Sequence, residues 1–371
     1  MSQKEILEYS VVYTDRALNH MSQRFQEVMC GLSSMLKEVY NAHAVAIVPG
    51  SGTFAMEAVA RQIATKERCL IVRNGWFSYR WSQILSKGRI PSSVVVCMAQ
   101  PTEKERQAHY APIAIDDLVA RIAREKPAVV FAPHVETSAG MILPDSYIKR
   151  VGQATRDVGG MFVLDSIASG ATWVDMQECN VDILITAPQK GWTSTPCAGV
   201  VLMNERAKKR VESTNSSSFA CDLKKWLQIM QKYEGGGHAY HATMPTDGLE
   251  NFYEVMKESR AIGFSLLKEK QAELGKRIRT LCSSRWKSLV PPDFAAPSVV
   301  VCYTDSHSEH KGTAFMEQGM QIAAGVPLQC DEAGDFQTFR IGLFGLDKLM
   351  HLERTVARFA NVLESLSNDA S

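Results

Sequence analysis

The chain has 371 residues, which is long enough to bury a large core, and 45% of them are hydrophobic, 22% charged and 8% aromatic. This ordinary composition excludes a disordered, collagen-like or coiled-coil chain. The net charge is +1, from 41 basic and 40 acidic residues, with no basic stripe, so we expect no nucleic-acid partner.

The nine cysteines and the N-terminus bear on the cellular compartment. The cysteines are odd in number, form no C-x-x-C pair and mostly lie in apolar runs, which predicts reduced core thiols. The sequence has no Cys/His spacing typical of a metal site. The opening MSQKEILEYS lacks the apolar core of a signal peptide, and no apolar run reaches the roughly 20 residues that span a bilayer. We therefore expect a cytoplasmic protein without a metal or a membrane anchor.

In chain order, the residues before 246 alternate between apolar runs and amphipathic stretches. Strands are predicted in NAHAVAIVPGSGT, CLIVRNG, SSVVVCMAQ, AVVFAPHVE, MFVLDSIAS, DILITAPQK and AGVVLMNE. Helices are predicted between them in FAMEAVARQIA, SYRWSQILSKG, IDDLVARIAREKP and SYIKRVGQATRDVGG. Strands separated by helices predict an α/β fold with a largely parallel sheet and helices on both faces.

The pattern changes from about residue 246. A long helical stretch, GLENFYEVMKESRAIGFSLLKEKQAELGKRIRTL, is followed by two strands, SVVVCYTD and QTFRIGLFG, and by a closing amphipathic helix, LDKLMHLERTVARFANVLESL. We therefore predict an N-terminal arm (1–20), a large α/β domain (21–245) and a smaller α+β domain (246–371).

Polar groups follow the predicted parallel strands, where ligands bind in such sheets. The first strand leads into Gly50–Thr53 directly before a helix, an arrangement that can bind an anion such as phosphate. The second leads into Arg73–Phe77, with aromatic side chains that can stack on a planar ligand. Each pattern also has an ordinary explanation, as a tight turn with a helix cap or as core aromatics.

Three more strands end in a polar cluster, an acid and a lysine. His134–Ser138 follows one strand, Asp165 ends the apolar run MFVL, and Gln189 and Lys190 follow DILITAP. The simplest explanation of Lys190 is that the strand ends and the side chain reaches water, because a buried ammonium is costly.

Taken together, these groups fit one ligand, pyridoxal phosphate. Its phosphate needs the Gly/Ser/Thr turn, and its ring can lie on an aromatic side chain. A carboxylate keeps its pyridine nitrogen protonated, and its aldehyde forms a Schiff base with a lysine. Lys190 would then be buried as an imine and not as an ammonium.

The ordered motifs G-S-G-T, N-G-x-F, H-V-E-T-S-A-G, V-L-D-S-I-A-S, P-Q-K, Y-H-A-T and F-R-I-G resemble those of a known family. They are similar to class V, fold-type I pyridoxal-phosphate aminotransferases of the alanine–glyoxylate, serine–pyruvate and 2-aminoethylphosphonate–pyruvate group. The resemblance runs from about Asn19 to the C-terminal helix. It implies the predicted two-domain α/β fold, pyridoxal 5′-phosphate as cofactor and a homodimer with shared active sites.

The resemblance also implies roles for individual residues. Lys190 should form the internal aldimine and move the proton during catalysis, and Arg340 should bind the substrate carboxylate. Asp165 should pair with the pyridine nitrogen. The remaining implied contacts are phosphate binding by Ser51, Gly52, Thr53 and Gln189, ring stacking by Phe77 (or Trp76), ring contacts by Thr137 and Ile167, and contacts of Tyr240 and Thr243 with the phosphate of the neighbouring subunit.

The sequence departs from the family pattern at its N-terminus. NHMSQRF, residues 19 to 25, fits a family motif, but the Gly-Pro segment that normally precedes it and helps to form the substrate pocket is missing. Thr14, Asp15 and Arg16 are therefore candidate pocket residues, and Trp192, next to the lysine, is a candidate for narrowing the site. Because of this departure, the sequence predicts the type of reaction but not the identity of the substrate.

The expected reaction moves an amino group from a small amino acid, such as alanine or serine, to glyoxylate or pyruvate. A 2-aminoethylphosphonate–pyruvate transaminase and a pyridoxal-phosphate lyase are the alternatives. A cysteine desulfurase would need a mobile nucleophilic cysteine, for which Cys330 is the candidate, although the expected Ser/Gly-rich surroundings are missing. A non-enzymatic binding protein would be expected to have lost Lys190 or Asp165, and both are present.

Overall fold

The computed structural model describes residues 7–368. Its strands are β1 (Ala44–Pro49), β2 (Arg68–Arg73), β3 (Ser93–Met98), β4 (Gln100–Pro101), β5 (Tyr110–Ala111), β6 (Val129–Pro133), β7 (Val135–Glu136), β8 (Met141–Ile142), β9 (Met161–Asp165), β10 (Ile183–Thr186), β11 (Ala198–Met203), β12 (Val299–Tyr303), β13 (Ala323–Ala324) and β14 (Thr338–Gly342).

The α-helices are α1 (Gln23–Tyr40), α2 (Gly52–Ile63), α3 (Trp76–Gly88), α4 (Ile115–Glu125), α5 (Asp145–Asp157), α6 (Glu205–Ser213), α7 (Leu223–Glu234), α8 (Thr246–Ile262), α9 (Phe264–Ser283), α10 (His307–Lys311), α11 (Thr313–Glu317), α12 (Leu346–Met350) and α13 (Leu352–Asn368). A short 3₁₀ turn spans Pro292–Phe294.

A seven-stranded sheet in the order β1-β11-β10-β9-β6-β2-β3 forms the centre of the molecule. Its neighbouring strands pair in parallel except at β11, which is antiparallel to both β1 and β10. The residues of β6 and β10 are buried throughout, because helices cover both faces of the sheet. The predicted α/β class with a mostly parallel sheet is confirmed.

The pairing register aligns the strand ends that the sequence marked. Pro133 at the end of β6 lies beside Asp165 at the end of β9, and Asp165 lies beside Ile185 in β10. The residues that follow these strands therefore leave the sheet at one edge. The same edge receives the β1–α2 turn, since β1 runs in the direction of β10.

The C-terminal part carries a second, antiparallel sheet in the order β12-β14-β13. Two helices that the sequence predicted as continuous are interrupted. Gly263, with a φ of 105°, separates α8 from α9, and His351 separates α12 from α13. Glycine adopts this positive φ without strain, so the chain can turn there. The amphipathic sequence pattern runs through Gly263 although the helix is interrupted at that residue. The predicted domain boundary at residue 245 stays a prediction, and α8 itself packs against α1.

Several general expectations can be compared with the described residues. Their cysteines are free, and all are buried except the half-buried Cys30. No helix within residues 7–368 is long and apolar enough to cross a membrane. The same residues contain no group of three or more Cys, His, Asp or Glu side chains placed to hold a metal ion. The first six residues of the predicted arm lie outside the described part of the chain.

Candidate active site

A cavity of about 240 Å³ opens at the edge of the sheet where β1, β6, β9 and β10 end. Nine of the residues that the sequence singled out line it: Ser51, Gly52, Thr53, Phe77, Thr137, Asp165, Ile167, Gln189 and Lys190. They come from five separate segments, which the strand order brings together. The roles assigned to these residues remain predictions, but they share one cavity.

Asp165 lies at the end of β9 and is 8% exposed. Its Oδ1 accepts a hydrogen bond of 3.0 Å from the backbone N–H of Ile167, which fixes the carboxyl group at the mouth of the strand. Burial raises the pKa of Asp165 to about 7, far above the usual value for an aspartic acid. A nearby cation would stabilise the ionised form of this carboxyl group and lower its pKa again.

Lys190 lies after β10, on the same edge of the sheet. Burial lowers its pKa, and the positive charges of Arg340 and Arg80 lower it further, while Asp165 opposes the shift. Its Nζ lies 5.1 Å from the centre of the Phe344 ring. The surroundings therefore make Lys190 easier to deprotonate than a lysine in water, and the neutral amine is the nucleophilic form.

The N-terminus of α2 forms the anion-binding side of the cavity. The Ser51 side chain precedes the helix without capping it, and Ser51, Gly52 and Thr53 all line the cavity. The first backbone N–H groups of α2 are therefore available to an anion bound there. The Oε1 of Gln189 is buried and has no hydrogen-bond partner among the described residues. Only the Nε2 group of Gln189 can donate to a phosphate, because Oε1 is an acceptor; the fit to a phosphate therefore comes from the helix N-terminus and the hydroxyls beside it.

The side chain of Glu136 determines where Phe77 lies. This fully buried carboxylate accepts hydrogen bonds from the backbone N–H of Phe77 at 3.2 Å and of Ser78 at 2.8 Å, at the first turn of α3. Ser138 donates its hydroxyl to the same carboxylate at 2.7 Å. Gly75 allows this close packing, since a Cβ there would collide with Ser138 Oγ. The H-V-E-T-S motif thus anchors the helix that carries the aromatic ring.

Arg340 lies on β14 of the second sheet, next to the Phe77 ring, and is not among the residues that line the cavity. Its Nε donates a 2.8 Å hydrogen bond to the carbonyl of Ala324, and its Cζ lies 5.6 Å from the centre of the Phe77 ring. The guanidinium is one of the charges that lower the pKa of Lys190. It can therefore hold an anionic group of a substrate close to the lysine.

Tyr240 and Thr243 lie outside this cavity. The Tyr240 hydroxyl and Thr243 Oγ1 are 3.1 Å apart in an exposed loop after α7, and Tyr240 is 54% exposed. Tyr240 lines a different, surface cavity of about 670 Å³ beside α7. The chain that carries these two residues does not bring them to its own lysine.

The atypical N-terminal segment contacts this loop. Tyr13 is buried, donates its hydroxyl to the Met244 carbonyl at 3.0 Å and accepts from the Met244 N–H at 3.3 Å. The ring of His20 lies 5.7 Å from that of Tyr240. Thr14, Asp15 and Arg16, the candidate pocket residues, are exposed and do not line the cavity of this chain.

Two further sequence candidates lie in the core. Cys330 is 4% exposed, and burial raises its pKa to about 12, so its thiol lacks the thiolate character and mobility that a desulfurase nucleophile needs. Trp192 is 1% exposed and packs against Trp173 with ring centres 4.5 Å apart. It belongs to an aromatic cluster of the core and does not narrow the cavity, because the chain turns its side chain away after Lys190.

Met56, Arg80, Val135 and Ala168 also line the cavity. Val135 and Ala168 lie within sequence motifs but were given no role, and Met56 and Arg80 were not singled out. Arg80 was detectable in principle. It follows Phe77 by three residues in a predicted helical stretch, and residues at this spacing lie on the same helix face.

This fold, with a lysine, a carboxyl group and a helix N-terminus at one sheet edge, defines a fold-type I transferase. A solved alanine–glyoxylate aminotransferase from Nostoc sp. superposes with a TM-score of 0.77 at 21% identity, covering 94% of this chain and 89% of that one. The family model described as Aminotransferase class-V matches residues 2–343. The chain belongs to the class-V aminotransferase family, and its enzyme class is transaminase.

Curated relatives are distant in sequence. A 2-aminoethylphosphonate–pyruvate transaminase from Pseudomonas putida (strain KT2440) is 25% identical over 335 residues, covering 88% of this chain and 84% of that protein. A bifunctional phosphonoacetaldehyde hydrolase/aminoethylphosphonate transaminase from Clostridioides difficile (strain 630) is 23% identical over 357 residues, 92% of this chain. The chain spans about half of that longer protein, 51% of its length.

Proposed function

We propose that the protein is a pyridoxal-phosphate-dependent transaminase that moves an amino group from a small donor to glyoxylate or pyruvate. The donor is alanine, serine or a similar amino acid, with 2-aminoethylphosphonate as the alternative that the Pseudomonas relative supports. When bound, the cofactor supplies an aldehyde that captures the amino group and a ring that accepts electrons from the donor carbon.

The observation that carries this proposal is the pairing of Asp165 with Lys190 in one cavity. Burial raises the pKa of the Asp165 carboxyl to about 7, while burial and two arginines lower the pKa of the lysine. A protonated pyridine nitrogen would supply the positive partner that Asp165 lacks, and Lys190 would react as a neutral amine. Few other ligands use both groups in this way.

The other cavity residues have supporting roles in the proposal. All seven line the cavity. Ser51, Gly52, Thr53 and Gln189 would hold the phosphate, and Phe77, Thr137 and Ile167 would contact the ring. Lys190 would act as the general base and acid, accepting the proton from the donor's α-carbon and donating one on the cofactor side. Arg340 holds the carboxylate or phosphonate of the substrate by charge-assisted hydrogen bonds.

Tyr240 and Thr243 support a homodimer with shared active sites as part of the proposal. Both are exposed and separated from the lysine cavity of their own chain, so a phosphate contact would have to be made in a second copy. Phe54, next to Thr53 and 51% exposed, and Phe219, 76% exposed, are large apolar side chains that a partner subunit would cover. The free cysteines support a cytoplasmic location, where thiols stay reduced.

Absorption spectroscopy of the purified protein tests the proposal. We expect a visible band from the lysine-bound cofactor, absent in Lys190→Ala and present in the control Lys87→Ala, which alters an exposed lysine on α3. L-alanine, L-serine and 2-aminoethylphosphonate are added separately. The true donor should remove the band, and glyoxylate or pyruvate should restore it. A band that no donor removes would contradict transamination of these donors, and no band after adding the cofactor would contradict the proposal as a whole.

A further inference from the structure

The cavity contains one cation that the proposed reaction leaves without a role, Arg80. Its side chain lines the cavity from the first turns of α3. Its Nη1 donates a 3.3 Å hydrogen bond to Thr53 Oγ1, and its Cζ lies 4.9 Å from the centre of the Phe77 ring. Its positive charge lowers the pKa of the Asp165 carboxyl, which opposes the effect of burial there.

The position of Arg80 differs from that of Arg340, although both lie against Phe77. Arg80 bonds to Thr53, the second residue of α2, and so lies on the side of the cavity where the helix N-terminus offers its N–H groups. Arg340 enters from the second sheet and, of the two, has the larger effect on the pKa of Lys190. Arg80 thus lies on the phosphate side, and Arg340 on the side where substrate would react.

A phosphate bound in the cavity would carry more negative charge than its proposed neutral ligands and the helix N-terminus can balance. A phosphate monoester carries a charge of about −1.5 to −2 near pH 7, and a helix N-terminus supplies roughly +0.5. The proposed phosphate ligands Ser51, Gly52, Thr53 and Gln189 are all neutral. Lys190 would be used by the cofactor's aldehyde, and Asp165 is an acid. Of the described residues that line the cavity, this leaves Arg80 as the positive charge available to the phosphate.

We propose that Arg80 is a further ligand of the cofactor phosphate, an inference that rests on the proposed function. Its guanidinium donates charge-assisted hydrogen bonds to phosphate oxygens while Thr53 and the Phe77 ring hold its plane in position. The ring that stacks on the cofactor and the cation that neutralises the phosphate are then one helical turn apart on α3. Cofactor affinity and ring position are linked through this turn.

The test compares two forms of the cofactor on apoprotein. Pyridoxal phosphate and pyridoxal, which lacks the phosphate, are titrated against wild type, Arg80→Gln, Arg80→Lys and the control Lys87→Gln, and dissociation constants are measured by fluorescence. We expect Arg80→Gln to weaken pyridoxal-phosphate binding about 10- to 100-fold, the effect of losing a charged hydrogen bond. Pyridoxal binding should change less than about threefold, Arg80→Lys should restore part of the loss, and inorganic phosphate should show the same order among the variants.

Three results would overturn the inference. Equal weakening of both cofactor forms would mean that Arg80 acts on the ring or on the fold, and thermal unfolding of the apoprotein variants separates these two cases. Unchanged binding of both forms would remove Arg80 from the phosphate site. Unchanged cofactor binding with a raised KM for the donor would assign Arg80 to the substrate instead. Failure of the wild type to bind pyridoxal phosphate is a different result, since it would contradict the proposed function itself.

Discussion

The cavity around Lys190 and the loop that carries Tyr240 differ in how much of their surroundings a single chain supplies. The cavity is enclosed by segments following five strands, and burial is the largest cause both of the raised pKa of Asp165 and of the lowered pKa of Lys190. The loop lies on the surface, with Tyr240 54% exposed and bonded mainly to its neighbour Thr243. Two regions of one proposed active site therefore have opposite environments.

This contrast separates the part of the proposed site that one chain forms by itself from the part that would come from a second chain. The pKa values of Asp165 and Lys190 are shifted because the sheet and its helices shield both side chains from water. The loop is held instead by the N-terminal segment, through Tyr13 and His20. A surface loop held in a fixed shape but without a ligand of its own is suited to complete a site in another copy of the chain.

The strongest test of the contrast combines two defective subunits. One subunit carries Lys190→Ala, and the other carries Tyr240→Ala with Thr243→Ala. If the loop serves the partner's cavity, the tagged heterodimer has one site with both defects and one intact site. We expect about half of wild-type activity from a purified heterodimer at limiting cofactor, although both parents are inactive or nearly so.

If the loop served its own chain, neither site of the heterodimer would be intact, and activity would not exceed the average of the two parents. Heterodimers made with untagged wild-type subunits provide the control for purification and assembly.

The second prediction concerns the charge of Asp165. Asp165→Asn keeps the size of the side chain but cannot stabilise a proton on the cofactor ring, so kcat should fall by at least about 100-fold. Stopped-flow spectra of the donor half-reaction measure this loss directly. Asp293→Asn, which changes an exposed acid outside the cavity, should leave the rate unchanged. A small effect of Asp165→Asn would show that the carboxylate does not act on the ring.

The third prediction uses the pH dependence of apoprotein stability. The folded-state pKa of Asp165 is about 7, above its value near 4 in an unfolded chain. Asp165 therefore ionises at a lower pH in the unfolded chain than in the folded protein. Its contribution to stability is full below pH ~4 and is lost as the pH rises through about 7. The apoprotein of Asp165→Asn should gain stability relative to wild type by about 1.4 kcal/mol per pH unit across this window.

Chemical unfolding of both apoproteins at several pH values measures that difference. If the difference in unfolding free energy between the two apoproteins does not change with pH, Asp165 is not held in a protonated, buried state.

The smallest expected effect is that of Tyr13→Phe. This change removes a hydroxyl that bonds both the carbonyl and the N–H of Met244, next to Thr243. We expect a loss of about 1 kcal/mol in the free energy of unfolding. Because the loop is then less well held, cofactor affinity of the dimer should fall a few-fold. Unchanged cofactor affinity in a destabilised variant would limit Tyr13 to a structural role.

The sequence predicted the cavity better than it predicted the rest of the molecule. Strand ends in a parallel sheet meet at one edge, so motifs after each strand could be grouped without coordinates. Arg80 was missed because only residues directly after a strand were considered, although its spacing from Phe77 in a predicted helix would have indicated it. Its position in the structure depends on how Glu136 anchors α3. The break at Gly263 and the burial of Trp192 were also missed, because both depend on packing that amphipathic patterns do not encode. Helices α1, α6, α7, α10 and α11 received no prediction.

Identifying the lysine that carries the cofactor tests the central claim most directly. The purified protein is incubated with pyridoxal phosphate, reduced with borohydride to fix the cofactor to its lysine, digested and mapped by mass spectrometry. We predict a single pyridoxyl-modified peptide, carrying the added mass on Lys190, and none in Lys190→Ala. Modification of another lysine, or of none, would contradict the assignment of this cavity as the active site.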